Sequence, residues 1–311
     1  MVRYLIGRIA SALFVVWFVI TLTFFLMHAI PGGPFSSGKV LPPAIMDNIN
    51  ERYHLNDPLV KQYSDYFKNI VHFDFGPTFR YQGRTVNDLL WEGLPKTAAL
   101  GLLATILAIA GGVAMGITAA LRQNRMFDYL LTFLAVLGVS VPSFVLATFL
   151  QYYLGYKIQW FPPLGWGEIK HLILPVLALS AYPIAQIMRL TRAGMLDVLS
   201  QDYILTAKAK GLSDQIIIIR HALKNAVLPV LTFLGPFFAY ILTGNFVIEY
   251  VFNIPGIGQF FVNAVTNRDY PVIMGTTILY TTLLVTFNLL VDIVYTVLDP
   301  RIKLTERKGV W

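Results

Sequence analysis

DVLSQDYILTAKAKGLSDQIIIIRHALKNAVLPVL, residues 197–231, lies between two hydrophobic segments that are each long enough to cross a bilayer. It nevertheless carries Lys208, Lys210, Arg220 and Lys224, with Arg189 and Arg192 just upstream. Two short helices are predicted in it. The first runs from about Gln201 to Lys210 and stops at Gly211, a residue suited to a left-handed capping position. The second starts at Ser213, a good N-cap, places Asp214 in the positive first turn, and continues through Ile216–Ile219 to Leu223. A basic helix–glycine–helix beside a membrane has two physical readings: an amphipathic segment in the headgroups, or a docking surface for a cytoplasmic partner. Thr206, Ala207, Ala209 and Gly211 are small and leave a shallow notch. Lipid requires no notch, so the residues favour docking.

The rest of the chain fits a membrane setting. Of its 311 residues 56% are hydrophobic and 13% charged, and the mean hydropathy is +0.62. That excludes a soluble globular domain. Six stretches run without Asp, Glu, Lys or Arg: Ile9–Ile30, the residues between Lys96 and Arg122, Tyr129–Tyr156, His171–Met188, Asn225–Ile248 and Val272–Val291. Each reaches the roughly 17 residues that a spanning helix needs. The expected fold class is therefore an all-α polytopic membrane protein with six transmembrane helices. With the N-terminus inside, the cytoplasmic stretches hold fourteen Lys/Arg and the two short outer loops three, which satisfies the positive-inside rule and puts both termini in the cytoplasm. The net charge of +7 then reports topology and contact with anionic lipid, with no nucleic-acid partner implied. There is no cysteine, hence no disulfide framework and no thiolate chemistry.

Three regions are expected. Residues 1–30 open with Arg3 and Arg8 ahead of an apolar run too long for a signal core, so they form an uncleaved first helix. Residues 31–96 form an extracytoplasmic loop or cap, balanced in charge, with Tyr53-His54-Leu55, Tyr63, Tyr66-Phe67, Phe73, Phe75, Phe79 and Tyr81 to pack it. Within it Gly33–Val40 has the outline of a phosphate loop, but Val40 replaces the Ser/Thr that would hold Mg²⁺ and a membrane helix precedes it, so it reads as a Gly/Pro turn. Residues 97–311 hold the remaining spans, 97–121, 129–156, 171–188, 226–248 and 272–291, with the basic segment at 189–225.

Gly111-Gly112 and Gly116, among Ala104, Ala108 and Ala119, let the second span approach a neighbour closely. Pro142, Pro175 and Pro183 are expected to kink or break their helices, a build typical of transporters. Gly138-Val139-Ser140 resembles a fragment of an intramembrane serine protease, but no His is placed to serve it and small-residue packing accounts for it. Residues 249–271 form an outer loop whose Pro255-Gly256-Ile257-Gly258 permits a tight turn. Asp292 lies near the cytoplasmic surface and reads as structural. No internal repeat, no catalytic constellation and no mid-membrane carboxylate dyad is present, and the five histidines show no ligand spacing, so no catalytic, cofactor or metal site is assigned. A transporter of this build must borrow its energy.

Taken together these residues resemble the permease subunits of bacterial ATP-binding-cassette importers, in the peptide/nickel (oligopeptide/dipeptide) branch. Asp202-Tyr-Ile-Leu-Thr-Ala-Lys-Ala-Lys-Gly211-Leu212, then Arg220-His-Ala-Leu-Lys-Asn-Ala and Leu228-Pro229, is similar to that branch's cytoplasmic coupling loop. Leu205-Thr206-Ala207 stands where other importers carry Glu-Ala-Ala, a departure the peptide branch shares. Pro31-Gly32, Asp74-Phe75-Gly76, Leu94-Pro95, Pro142-Ser143, Arg189-Leu190-Thr191-Arg192, Pro255-Gly256-Ile257-Gly258, Arg268-Asp269-Tyr270-Pro271 and Asp299-Pro300-Arg301 extend the resemblance over essentially the whole chain. Pro-Gly-Gly-Pro-Phe and Tyr53-His-Leu-Asn-Asp-Pro58 are most similar to the B-type subunits of oligopeptide systems.

The resemblance implies a type I importer permease of the bacterial cytoplasmic membrane. Its partners would be a second homologous permease, two cytoplasmic ATPases that bind ATP and Mg²⁺, an external binding protein, and membrane lipid. The substrate would be a peptide, oligopeptide before dipeptide, with nickel or another small solute as the alternative in the same branch and a stand-alone secondary transporter as the alternative outside it. The ATPase-coupling residues implied are Tyr203, Thr206, Ala207, Lys208, Ala209, Gly211, Leu212, Arg220 and His221. The resemblance assigns no residue to the substrate path.

Overall fold

The computed structural model describes residues 2–31 and 56–298. The Gly33–Val40 turn, Tyr53-His54-Leu55 and Asp299-Pro300-Arg301 lie outside the described residues. Apolar runs without backbone partners from other strands close their hydrogen bonds internally, and the described residues are accordingly helical, with one isolated bridge between Pro77 and Thr85.

In chain order the helices are α1 (Val2–Ala29), α2 (Leu59–Val71), α3 (Val86–Leu121), α4 (Met126–Ser140), α5 (Ser143–Leu150), α6 (Ile169–Leu199) and α7 (Asp202–Ala209). They continue with α8 (Asp214–Ile216), a single turn at Leu223–Ala226, α9 (Leu228–Gly244), α10 (Phe246–Val251), α11 (Ile257–Asn267) and α12 (Tyr270–Leu298). Two π-helical stretches, Gln151–Lys157 after α5 and Ile217–Ala222 after α8, interrupt the α pattern.

Four described stretches are long and apolar enough to cross a membrane: Ile6–Ala29, Val86–Leu121, Ile169–Leu199 and Tyr270–Leu290. A fifth crossing is available if α4 and the segment Ser143–Lys157 act together, although the pair is bent by 105°. The bend falls where the sequence puts Pro142: Val141 is driven to extended backbone (φ −87°, ψ 120°) by the ring that follows it. Pro175 and Pro183 do not act this way. Both sit inside the continuous 31-residue α6, where burial from Leu174 to Met195 offsets the missing amide bonds. α6 also carries Arg189 and Arg192 on its last turns, so these cations belong to the helix and not to the loop after it. α3 begins at Val86, and the apolar run from residue 97 is its later part. α12 continues past Asp292 to Leu298.

The described residues form two compact units: those within 1–99, 164–167 and 243–283 in the first, and those within 100–163, 168–242 and 284–311 in the second. In the first unit Phe24, Val86, Leu89, Leu90, Ile257, Phe260, Tyr270 and Met274 form the core, with Tyr63, Tyr66, Phe75, Phe79 and Tyr81 packed against it. Phe73, expected among the packed aromatics, is instead exposed, its backbone in the left-handed region at φ 59°. Asp269 is buried and accepts hydrogen bonds from the amides of Phe79 and Arg80, both at 3.2 Å, which ties the 77–85 turn to the start of α12.

In the second unit the small residues of α3 meet α6. A Cβ on Gly112 would come within 2.7 Å of the Ile187 side chain, and one on Gly116 within 2.7 Å of the Met188 carbonyl oxygen. Gly138 approaches the Ala181 carbonyl in the same way, with 3.0 Å available, which is the packing role expected for Gly138-Val139-Ser140. Close backbone approach of this kind is how helices associate in lipid, where apolar burial supplies little net drive. Asp128, at the start of α4, is buried and receives both ends of the Arg192 guanidinium, Nε at 2.7 Å and Nη2 at 2.8 Å. This bidentate pair pins α4 to α6.

Candidate docking surface

The basic segment after α6 folds as a platform. α7 presents Ile204 and Ala207 inward, where they join Ala120, Met195, Ile217, Ala222 and Ala226 in one buried cluster. The helix ends in a Schellman turn. Gly211 stands at φ +76°, its amide donates to Lys208 O at 2.9 Å, and the Leu212 amide donates to Ala207 O at 3.3 Å. The left-handed cap read from the sequence at Gly211 is therefore present. Ser213 has the extended backbone of an N-cap (φ −67°, ψ 149°), but its side chain makes no capping bond, and Asp214 occupies the first turn of α8. Asn225 Nδ2 donates to Tyr203 Oη at 3.0 Å and ties the returning chain to α7.

The outward side is mixed in character. Tyr203, Thr206, Lys208, Ala209, Lys210, Gly211, Leu212 and Arg220 are exposed, together with Leu205, Ile216 and Ile219. His221 is half-buried. Ala207 is buried and supports the platform from beneath. Among the described residues, its chain neighbours aside, nothing lies within 4 Å of where a Gly211 Cβ would stand, so the notch is open. Apolar side chains interleaved with cations on a locked turn suit a protein surface with matching knobs and acidic groups. Arg192 takes no part, because Asp128 holds it.

A second arrangement escaped the sequence reading. Glu249, on α10 in the connection between α9 and α12, is fully buried. Its Oε2 accepts from the Gly258 amide at 2.8 Å, with Thr97 and Gln259 also favouring its charged form, while Thr97 Oγ1 accepts from the Ile257 amide at 3.0 Å. The carboxylate thus caps the N-terminus of α11. Gly256 is required because a Cβ there would overlap the carboxylate. Burial pushes the Glu249 carboxyl up to about 7, against the opposing pull of Thr97, Gly258 and Gln259. A lone glutamate after an apolar run looks like a headgroup-level charge. The signal that marks it otherwise is the Gly-Ile-Gly that follows.

Among the described residues no group of three or more His, Cys, Asp or Glu side chains is placed to hold a metal ion. Long apolar helices closed by glycine contacts, with a basic platform at the end of α6, define a polytopic membrane protein of transporter build.

Comparison with known proteins gives the family. Residues 112–304 match the binding-protein-dependent transport system inner membrane component, and residues 1–100 match the N-terminal part of the same kind of membrane component. The chain belongs to this family, and it is a multi-pass protein of the bacterial inner membrane. It is 48% identical to the dipeptide transport system permease protein DppB of Bacillus subtilis over 99% of this chain and 100% of the relative. It is 46% identical to the oligopeptide transport system permease proteins OppB of Salmonella typhimurium and Escherichia coli, over 97% of this chain and 100% of each. Its fold is similar to that in inward-facing structures of the MetNI methionine ABC transporter, with a TM-score of 0.54 at 15% identity, covering 68% of this chain and 94% of the other.

Proposed function

We propose that this chain is the permease subunit of an ATP-driven importer of peptides, and that residues 202–224 are where it takes up the work of its ATPases. The names of the full-length relatives, dipeptide and oligopeptide permeases alike, support the substrate class. The single structural observation behind the coupling role is the Schellman-capped turn at Gly211. It fixes an open notch, flanked by Lys208 and Lys210, on a buried base that cannot move without carrying the ends of α3 and α6.

In this reading six segments span the membrane: Ile6–Ala29, Val86–Leu121, the bent pair Met126–Lys157, Ile169–Leu199, Leu228–Gly244 and Tyr270–Leu290. α9 has 17 residues, and at 1.5 Å per residue it is about 25 Å long, enough to cross the hydrocarbon core with help from the flanking turns. Both termini are cytoplasmic. Residues 31–96 face outside as a cap toward an external binding protein, and residues 97–311 form the permease core.

A second, homologous permease completes the pathway. Two cytoplasmic ATPases bind ATP and Mg²⁺ and do all the hydrolysis, so this chain is not an enzyme and holds no cofactor. When the ATPases close they move α7, and Tyr203, Thr206, Ala207, Lys208, Ala209, Gly211, Leu212, Arg220 and His221 transmit that movement: Ala207 from beneath, the others at or beside the contact. Helix ends that share one buried cluster then shift together, and the bundle changes the side on which it is open.

The test is uptake of labelled peptides of about two to five residues by cells with and without this chain. Loss of uptake, restored by supplying the chain, is expected. Unchanged peptide uptake overturns the reading, and loss of nickel uptake alone would transfer it to the metal branch.

A further inference from the structure

Glu249 is a charged-type side chain with no charge to meet. It is fully buried, as is Asn245 one helical turn before it. Oε2 accepts from the Gly258 amide, with Thr97 and Gln259 also favouring the charged form, but Oε1 has no partner among the described residues, and neither does any side-chain atom of the Asn245 amide. The titratable group that senses Glu249 from a neighbouring helix is Tyr280 of α12, whose hydroxyl is also without a partner among the described residues. Lys96, the cation next to Thr97 on α3, is engaged with Glu92 at 3.1 Å. Neutral donors alone support an ionised carboxylate poorly where water is excluded.

The surroundings are also built for this group. A Cβ on Gly256 would overlap the carboxylate, and one on Gly258 would stand 2.9 Å from Oε2. The turn between α10 and α11 is therefore closed around one side chain, which reaches the first turn of α11 through the Gly258 amide, while Thr97 of α3 holds the neighbouring Ile257 amide.

We propose that Glu249 is a proton-binding site: the packed turn between α10 and α11 holds it as the neutral acid, and its ionisation loosens that turn. The step is Glu249–COO⁻ plus a proton from solvent giving Glu249–COOH. The neutral form removes the uncompensated charge and leaves Oε2 to cap α11. Glu249 is then a positioning residue whose proton sets how firmly the 246–267 helix–turn–helix is held. The inference does not depend on the substrate being a peptide.

Amide hydrogen exchange on the intact purified transporter tests it, read at residues 252–260 between about pH 5.5 and 8.5 and corrected for the intrinsic pH dependence of exchange. In the wild type, protection of the Gly258 and Gln259 amides falls by up to about tenfold per pH unit once Glu249 titrates. Glu249→Gln keeps the shape without the proton, and its protection stays high and independent of pH. Thr97→Val removes a group that favours the ionised form and moves the wild-type midpoint to higher pH. Wild-type protection that does not change with pH overturns the proposal, as does an unchanged pH dependence in Glu249→Gln. Should Glu249→Gln fail to assemble, an unmoved midpoint in Thr97→Val overturns it instead.

Discussion

Gly211 separates the two things that a substitution on the docking surface can do. Its φ of +76° is one that L side chains rarely adopt, while the described residues leave the space around its missing Cβ open. Inside this protein a side chain there is opposed only by backbone strain, of order 1–2 kcal/mol. That lowers the population of the Schellman turn by a factor of about 5–30 in its local equilibrium, while the buried cluster under α7 keeps the fold and the membrane level unchanged. Asn tolerates the left-handed region better than Ala or Leu, yet it is larger than Ala. Strain alone therefore predicts that Gly211→Asn is milder than Gly211→Ala, with Leu no worse than Ala. Docking predicts an order set by size: Ala mildest, Asn intermediate, Leu abolishing uptake. The assay is peptide uptake and peptide-stimulated ATP hydrolysis in proteoliposomes holding the complete transporter, with membrane level measured alongside. Normal uptake by Gly211→Leu at normal level would refute the docking role outright. Ala and Leu equally impaired with Asn spared would refute the steric part.

Three further outcomes follow from the geometry. Arg192→Ala leaves the Asp128 carboxylate only the Asn124 amide and the Thr132 hydroxyl and should destabilise the protein by about 1–3 kcal/mol, with Arg192→Lys recovering only part because the bidentate fork is lost; thermal unfolding of the purified transporter reads this, and an unchanged midpoint for Ala contradicts it. Gly116→Val forces α3 off the Met188 carbonyl and the Thr191 side chain, an overpacking that costs on the order of 1–3 kcal/mol and should appear as reduced accumulation, against a normal level if the contact is slack. Because the Glu249 carboxyl is raised from 4.5 to about 7, the folded state binds the proton more tightly than the unfolded state does. The stabilisation is full below the unfolded value and is lost as pH rises through the window to about 7, amounting to about 3 kcal/mol. Glu249→Gln should flatten that part of the stability–pH curve, and an identical slope in the variant contradicts the assignment.

Much of this architecture is legible in the sequence because it rests on local chemistry. Apolar runs bounded by cations mark the long helices, Gly211 marks a left-handed cap, and Val141-Pro142 marks the sharp bend. What escapes the sequence depends on contacts between distant residues. Arg192 looks like one more loop cation until α6 extends through it and Asp128, sixty-four positions earlier, closes on it. Pro175 and Pro183 look like breaks because the packing that carries α6 across them is tertiary. Residues 86–96 hide the start of α3, since Asp88, Glu92 and Lys96 spoil the apolar pattern while the backbone is already helical. The two π-helical stretches carry no compositional mark. In residues 202–224 the left-handed cap was readable, whereas the inward turn of Ala207 follows only from how α7 sits on Met195 and Ala222.

The account's central claim is that this chain works only as part of a larger machine docked at residues 202–224. Its most direct test is gentle affinity purification of the chain from its native membrane, with mass spectrometry of what accompanies it. A second homologous permease and two ATPases are predicted, and the ATPases should be lost from Gly211→Leu at normal membrane level. A chain recovered alone, or only with copies of itself, would contradict the claim and return the protein to the class of self-contained carriers.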